Sequence, residues 1–171
     1  EKLGITGYEV RSGEYTALHP GKTALFIKNG DLLGAAGEIH PAVQDAFGLG
    51  RPVYLFELDV TLLVKHAALV GAYRPLPRFP AIARDLAVVV PQKVTAAQAT
   101  SAIAAAGGEL LVGIRLFDMY TGEQVPAGAK SLAFALTFQS ADRTLTDEEV
   151  DGYYARIVAH LETTLDAKLR V

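Results

Sequence analysis

The run Lys130-Ser131-Leu132-Ala133-Phe134-Ala135-Leu136-Thr137-Phe138 leaves little choice of local structure. Large apolar side chains recur at every second position from Leu132 to Phe138, with small or polar residues between them. A strand sends successive side chains to opposite faces, so this period describes a strand with one buried face. Such a strand needs sheet neighbours and a covering layer. Two capping boxes nearby supply the layer. In Thr95-x-x-Gln98 and Thr146-x-x-Glu149, each pair of side chains satisfies free backbone N–H groups at a helix start. The first box opens a helix running to Ala106 and closed by Gly107-Gly108. The second opens a helix with Val150, Tyr154, Ile157, Leu161 and Leu165 on one stripe.

Strands are predicted over Asp85 to Val90, Leu110 to Tyr120, Lys130 to Gln139 and, briefly, Lys168 to Val171. The order is β-α-β-β-α-β, a ferredoxin-like split βαβ. Leu86, Val88 and Val90 then share the helix-facing side with Leu132, Phe134, Leu136 and Phe138. Asp85, Ala87, Val89, Ser131, Ala133, Ala135, Thr137 and Gln139 share the open side. That open face is small at its centre and has room for something flat. One strand breaks the pattern: alternation through Val112, Ile114 and Leu116 would bury Asp118 and Tyr120. A β-bulge near Leu116-Phe117 resets the phase, turning Phe117 and Met119 inward and Asp118 and Tyr120 outward.

The first part of the chain is strand-rich. Ala24 to Lys28 leads through Asn29-Gly30, a strong hairpin signal, into Asp31 to Glu38. Gly34 and Gly37 weaken that strand or allow close packing. Pro41 to Phe47 reads as a short helix with Pro at its first position, and Val53 to Asp59 as a strand. Asp59 is placed to cap a helix from Val60 to Ala68. Glu1-Lys2-Leu3-Gly4 reads as a helix end with a glycine stop, and the chain as a piece of something longer. Between Val70 and Pro80 the chain carries Gly71, Pro75, Pro77 and Pro80, a stiff connector. The fold class is therefore α+β. A strand-rich α/β segment (1–69) and a linker (70–80) precede a ferredoxin-like βαββαβ domain (81–171).

With 20% charged residues, half hydrophobic and no Cys, the chain is globular and has neither disulfides nor thiolate metal sites. No run is long enough to span a bilayer as a helix. The net charge of −3 argues against broad wrapping of a nucleic-acid backbone. From Arg78 onward there are 9 basic and 11 acidic residues, and four of the acids (Asp147, Glu148, Glu149, Asp151) gather at one helix start. Compact, base-directed contact with nucleic acid remains open. His19-Pro20 and Glu38-x-His40-Pro41 lack a third ligand for a metal, and both histidines are placed to satisfy local backbone groups. The glycine pairs at Gly34 and Gly48 lack the frame of a nucleotide loop, and no catalytic constellation is present.

Asp118, Tyr120 and Ser131 remain, converging at one end of a hairpin. They fit a strand end that satisfies its own turn. They also fit recognition of a base: a tyrosine ring stacks on a splayed base, and a carboxylate accepts the two adjacent donors of guanine's Watson–Crick edge. Ala87 allows close approach, and Arg170 has the reach for a phosphate or base.

These residues sit in longer motifs: Phe79-Pro80 with Arg84-Asp85-Leu86-Ala87, Leu116-Phe117-Asp118-x-Tyr120-x-Gly122, Lys130-Ser131-Leu132-Ala133, and Arg143-Thr144-Leu145-Thr146-Asp147-Glu148-Glu149. Together, from Arg78 to Val171, they resemble the ferredoxin-fold anticodon-binding domain of phenylalanyl-tRNA synthetases. His19-Pro20-Gly21-Lys22, Gly37-Glu38-Ile39-His40-Pro41 and Phe56-Glu57-Leu58-Asp59 resemble the end of the catalytic-like module of the bacterial β subunit. The resemblance implies a cytoplasmic α2β2 ligase that charges tRNA(Phe) with phenylalanine using ATP and magnesium. Its active site would lie in the α subunit, leaving this piece no catalytic residue, metal or cofactor of its own. It implies tRNA(Phe) and the α subunit as partners, and neither DNA nor a membrane. The family's anticodon contacts fall here on Ala87, Asp118, Tyr120, Ser131 and Arg170. The last strand is too short for its own pattern to fix the face of Arg170. Two other readings stay open, because the same element order serves amino-acid-sensing domains and because a strand-rich segment can act purely in subunit packing.

Overall fold

The computed structural model describes residues 3–68 and 76–170. The chain divides into two units, Glu1–Arg74 and Pro75–Val171. The first two residues of the expected helix end, the connector up to residue 75 and Val171 lie outside the described residues.

In the first unit, β1 (Glu9–Ser12), β2 (Leu18–Lys28), β3 (Asp31–Ile39) and β4 (Tyr54–Leu58) form an antiparallel sheet in that order. Asn29 and Gly30 turn the β2–β3 hairpin with φ of 51° and 88°, the two positive values that such a tight turn requires. The glycines of β3 permit close approach of the neighbouring backbones. A Cβ on Gly34 would lie 2.1 Å from the Glu57 carbonyl oxygen, and one on Gly37 would lie 2.4 Å from that of Lys22. Helix α1 (Pro41–Ala46) follows β3, and α2 (Val60–His66) follows β4. Asp59 Oδ1 accepts from the Leu62 N–H at 3.0 Å, capping α2. The two proline-flanked histidines serve the backbone: His19 Nδ1 accepts from the Gly21 N–H at 3.0 Å and His40 Nδ1 from the Ala42 N–H at 3.1 Å. Strand β1 and the first half of β2 are additions to the sequence reading. All four residues of β1 are exposed, which leaves no alternation to detect. Pro20-Gly21 interrupts β2 at a register shift between Leu18 and Thr23 and reads locally as a turn.

The second unit runs β5 (Ile82–Pro91), α3 (Ala96–Gly107), β6 (Leu111–Tyr120), β7 (Ala129–Phe138), α4 (Asp147–Leu165) and β8 (Lys168–Leu169). The sheet order β6-β7-β5-β8 is the ferredoxin-like arrangement, and every adjacent pair is antiparallel. Both capping boxes form, at Thr95/Gln98 and Thr146/Glu149. Gly108, at φ 69°, ends α3, and Arg156 Nε donates to the Ala106 carbonyl at 2.7 Å, satisfying one of the groups that a helix end leaves free. The core holds Leu86, Val88 and Val90 from β5 and Leu132, Phe134, Leu136 and Phe138 from β7. The helices add Ile103, Val150, Ile157 and Leu161.

The start of α4 is fixed electrostatically. Arg84 Nη2 reaches Asp147 at 2.5 Å and Asp151 at 3.2 Å, tying β5 to the helix. Arg143 donates to both oxygens of Glu149, at 2.7 and 2.6 Å, while the Thr146 N–H donates to the same carboxylate at 3.0 Å. These donors, Arg143 foremost, hold the Glu149 carboxyl at about 2 rather than 4.5. The folded state therefore favours the ionised form. The resulting stability is complete above about pH 4.5 and is lost as the pH falls through about 2. Glu149→Gln is expected to lower the melting temperature at neutral pH and to flatten its fall across that window. Thermal unfolding followed by circular dichroism from pH 2 to 7 checks it; a variant with the parent's slope contradicts the assignment.

Candidate nucleic-acid interface

Edge strand β6 pairs with β7 through a register shift between Leu116 and Asp118: Leu116 faces Phe134, Asp118 faces Ala133, and Phe117 is the extra residue. This bulge puts Asp118 and Tyr120 in register with Ala133 and Ser131, on the face away from the core. A second shift occurs between Leu111 and Gly113. It makes Val112 the extra residue there, so Leu111, and not Val112, packs against the core. Two expectations need correction. Phe117 is 47% and Met119 59% exposed, so neither is buried by the reset phase. Met119 does pair with Leu132, on the helix side of the sheet, but this end of an edge strand is left uncovered. Phe117 instead has the Arg115 guanidinium 5.8 Å from its ring centroid.

Pairing carries the site across the whole sheet. Asp118 faces Ala133, Ala133 faces Ala87, and the Arg170 N–H donates to the Ala87 carbonyl at 2.9 Å. The neighbouring row is Tyr120, Ser131, Val89 and Lys168. The short last strand thus has a definite register, with Leu169 opposite Val88 on the core side and Arg170 on the open side. A row of four strands spans about 14 Å, and its middle is only the methyl groups of Ala133 and Ala87. A flat ligand can come close to the backbone there.

Side chains converge further than the rows alone require. The Arg170 guanidinium lies 5.4 Å from the centroid of the Tyr120 ring, close enough for a cation–π contact. Its Nη2 donates to Gln124 Oε1 at 2.8 Å, and its Nη1 lies 3.4 Å from Ser131 Oγ. Ser131 is therefore on the open face, as expected, but only 3% exposed. Asp118 is exposed, and Tyr120 is 36% exposed. All five residues singled out from sequence thus lie on one face within two adjacent rows. Sequence reasoning missed Gln124, a loop residue whose partner comes 46 positions later, and Lys168, which ends the Tyr120 row. Arg115 was missed too; it pairs with Ala135, which faces Asp85, in the next row.

Comparison with known proteins agrees with this architecture. Residues 77–170 match the family model of the ferredoxin-fold anticodon binding domain. Residues 1–60 match that of the phenylalanyl tRNA synthetase beta chain CLM domain. The chain is similar to the phenylalanine–tRNA ligase beta subunit of Halalkalibacterium halodurans, with 49% identity over 158 residues, 92% of this chain and 19% of that protein. The beta subunit of Moorella thermoacetica is 49% identical over 93% of this chain, and that of Symbiobacterium thermophilum 43% identical over 99%. The chain spans about a fifth of the length of these relatives. With its family model matched over residues 77–170 and the corresponding βαββαβ sheet in place, the chain belongs to the ferredoxin-fold anticodon-binding domain family.

Proposed function

We propose that this chain is the anticodon-reading, non-catalytic part of a phenylalanine–tRNA ligase β subunit, acting on tRNA(Phe). In this reading Tyr120 stacks on the first anticodon base, a guanine. Asp118 accepts hydrogen bonds from its N1–H and N2–H groups, and Ala87 lets the nucleotide approach the sheet. Arg170 contacts the same nucleotide or its phosphate, and Ser131, its hydroxyl 3.4 Å from Arg170 Nη1, backs that contact. Residues 1–69 form the end of the catalytic-like module and 81–171 the anticodon domain, joined by 70–80. The parent enzyme is a cytoplasmic α2β2 ligase that uses ATP and magnesium at an active site in its α subunit.

The observation that carries the reading is the bulge at Phe117. It brings an exposed carboxylate and a half-exposed phenol ring to one face, beside a floor of alanines. Titrating the chain with tRNA(Phe) and with an anticodon-swapped control tests it: tighter binding of the first supports the reading, and equal binding overturns it. Asp118→Ala is expected to remove about 1–3 kcal/mol of the preference for guanine over adenine at that base, since only guanine offers two adjacent donors to the carboxylate. Competition between stem-loops differing only there measures the change.

The first unit supports a second role, subunit packing. Tyr54 and Phe56 are 70% and 71% exposed, and an open apolar hollow of 660 Å³ is lined by Tyr8, Phe26, Leu33, Phe56, Leu58 and Leu63 among others. An uncovered patch of this kind is characteristic of a protein–protein contact. Within the proposed enzyme it serves assembly and leaves the anticodon reading to the second unit.

A further inference from the structure

The loop between β6 and β7 does more than connect two strands. Gly122 does not adopt a positive φ, so nothing in its backbone calls for glycine. What calls for it is space. A Cβ built there would lie 2.3 Å from the Tyr120 hydroxyl oxygen, 2.5 Å from Cζ and 3.1 Å from Cε1. Two of these separations are below any ordinary contact, and the atoms met belong to a rigid ring rather than to the end of a flexible chain. The Tyr120 phenol therefore lies back over Gly122, two residues ahead in its own chain. Two residues further on, Gln124 Oε1 accepts from Arg170 Nη2 at 2.8 Å, and that guanidinium lies 5.4 Å from the Tyr120 ring centroid. The loop and the residue after β8 thus fix the ring together. Gly122 leaves it room, and Gln124 holds the cation beside it.

We propose that Gly122 and Gln124 are positioning residues of the base-reading site, setting the tilt of the Tyr120 ring before RNA arrives. The inference rests on the reading of Tyr120 as a stacking platform and deepens it. Stacking requires a ring presented at a set angle and height, and a ring fixed in advance loses less conformational freedom on binding. Any side chain at position 122 displaces the ring from its place over the loop. Loss of the Gln124 acceptor frees Arg170 to leave the ring without touching the ring itself. Both residues would therefore act through Tyr120 and Arg170 rather than by contact with the nucleotide.

The test uses the full chain, a fluorescently labelled anticodon stem-loop of tRNA(Phe), and tyrosine-ring NMR of the free protein with the Tyr120 resonance assigned through Tyr120→Phe. Gly122→Ala is expected to move the Tyr120 ring resonances and to weaken stem-loop binding about tenfold. In a Tyr120→Ala background the same substitution is expected to change binding by less than about twofold, because the group it acts through is gone. Gln124→Ala is expected to weaken binding in the parent and to have no effect in an Arg170→Ala background. Far-UV circular dichroism confirms the fold of each variant, and the Gln124 pair provides a second route should Gly122→Ala fold poorly. Parent-like ring resonances and binding in Gly122→Ala overturn the inference while leaving Tyr120 as the reader. An equal loss with and without Tyr120 overturns it as well. Parent-like binding by Tyr120→Ala overturns the base-reading assignment, and the positioning role with it.

Discussion

Phe134→Ala is expected to destabilise the second unit by about 3–5 kcal/mol, the largest effect of any single change considered. Phe134 is fully buried on β7, which pairs with β6 on one side and β5 on the other. It shares its row with Leu86 and Leu116, and its ring belongs to the same core as Ile103, Ile157 and Leu161. Removing the ring loses its transfer from water and leaves a cavity between a sheet and two helices whose backbones are tied by their own hydrogen bonds. Such a site collapses poorly, which puts the cost at the upper end for a core truncation. Urea unfolding monitored in the helical far-UV signal measures it, with the midpoint moving and the slope unchanged. The open face carries none of these atoms. Below its unfolding transition the variant should bind tRNA(Phe) like the parent, so that stability and recognition separate.

Tyr120→Ala is expected to do the reverse, weakening tRNA(Phe) binding by about 1–3 kcal/mol with little loss of stability. The ring is 36% exposed and lies at the end of an edge strand, away from the core. Its removal releases Arg170 from a cation–π contact worth about 0.5–1 kcal/mol at an exposed site, a small loss beside that of a stacking surface. Tyr120→Phe separates ring from hydroxyl and should keep most of the affinity, since stacking depends on the π face. Fluorescence anisotropy with tRNA(Phe) and an anticodon-swapped control reads both variants. The alanine variant should lose affinity for the first and much less for the second. An unchanged affinity for tRNA(Phe) refutes the stacking role.

The two cases also separate what was legible in the sequence from what was not. The core face of β7 was legible because one strand carries its whole pattern in consecutive residues, and the helix starts were legible because a capping box is complete within four. The bulge at Phe117 could be inferred because carrying the phase forward would bury Asp118, a charge with no local partner. The shift at Val112 gave no such warning. Valine is acceptable on either face, so a change of phase there breaks no rule. The Arg170 guanidinium lies 3.4 Å from the buried Ser131 hydroxyl, and no local pattern joins residues 39 positions apart. The clearance at Gly122 was hidden for a related reason: a glycine in a turn reads as backbone freedom, whereas here the missing Cβ makes room for a neighbour's side chain.

The pairing of β8 with β5 has a consequence for how the protein is made. Strand β5 precedes the other strands of its sheet, with one edge paired to β7 and the other to β8, the last strand described. A chain made only as far as the end of α4 contains Asp118 and Tyr120. It has neither Lys168 nor Arg170, and the outer edge of β5 is bare. The arginine that lies against Tyr120 therefore comes with the strand that covers that edge of β5. A chain cut short there would present an open β edge to its neighbours.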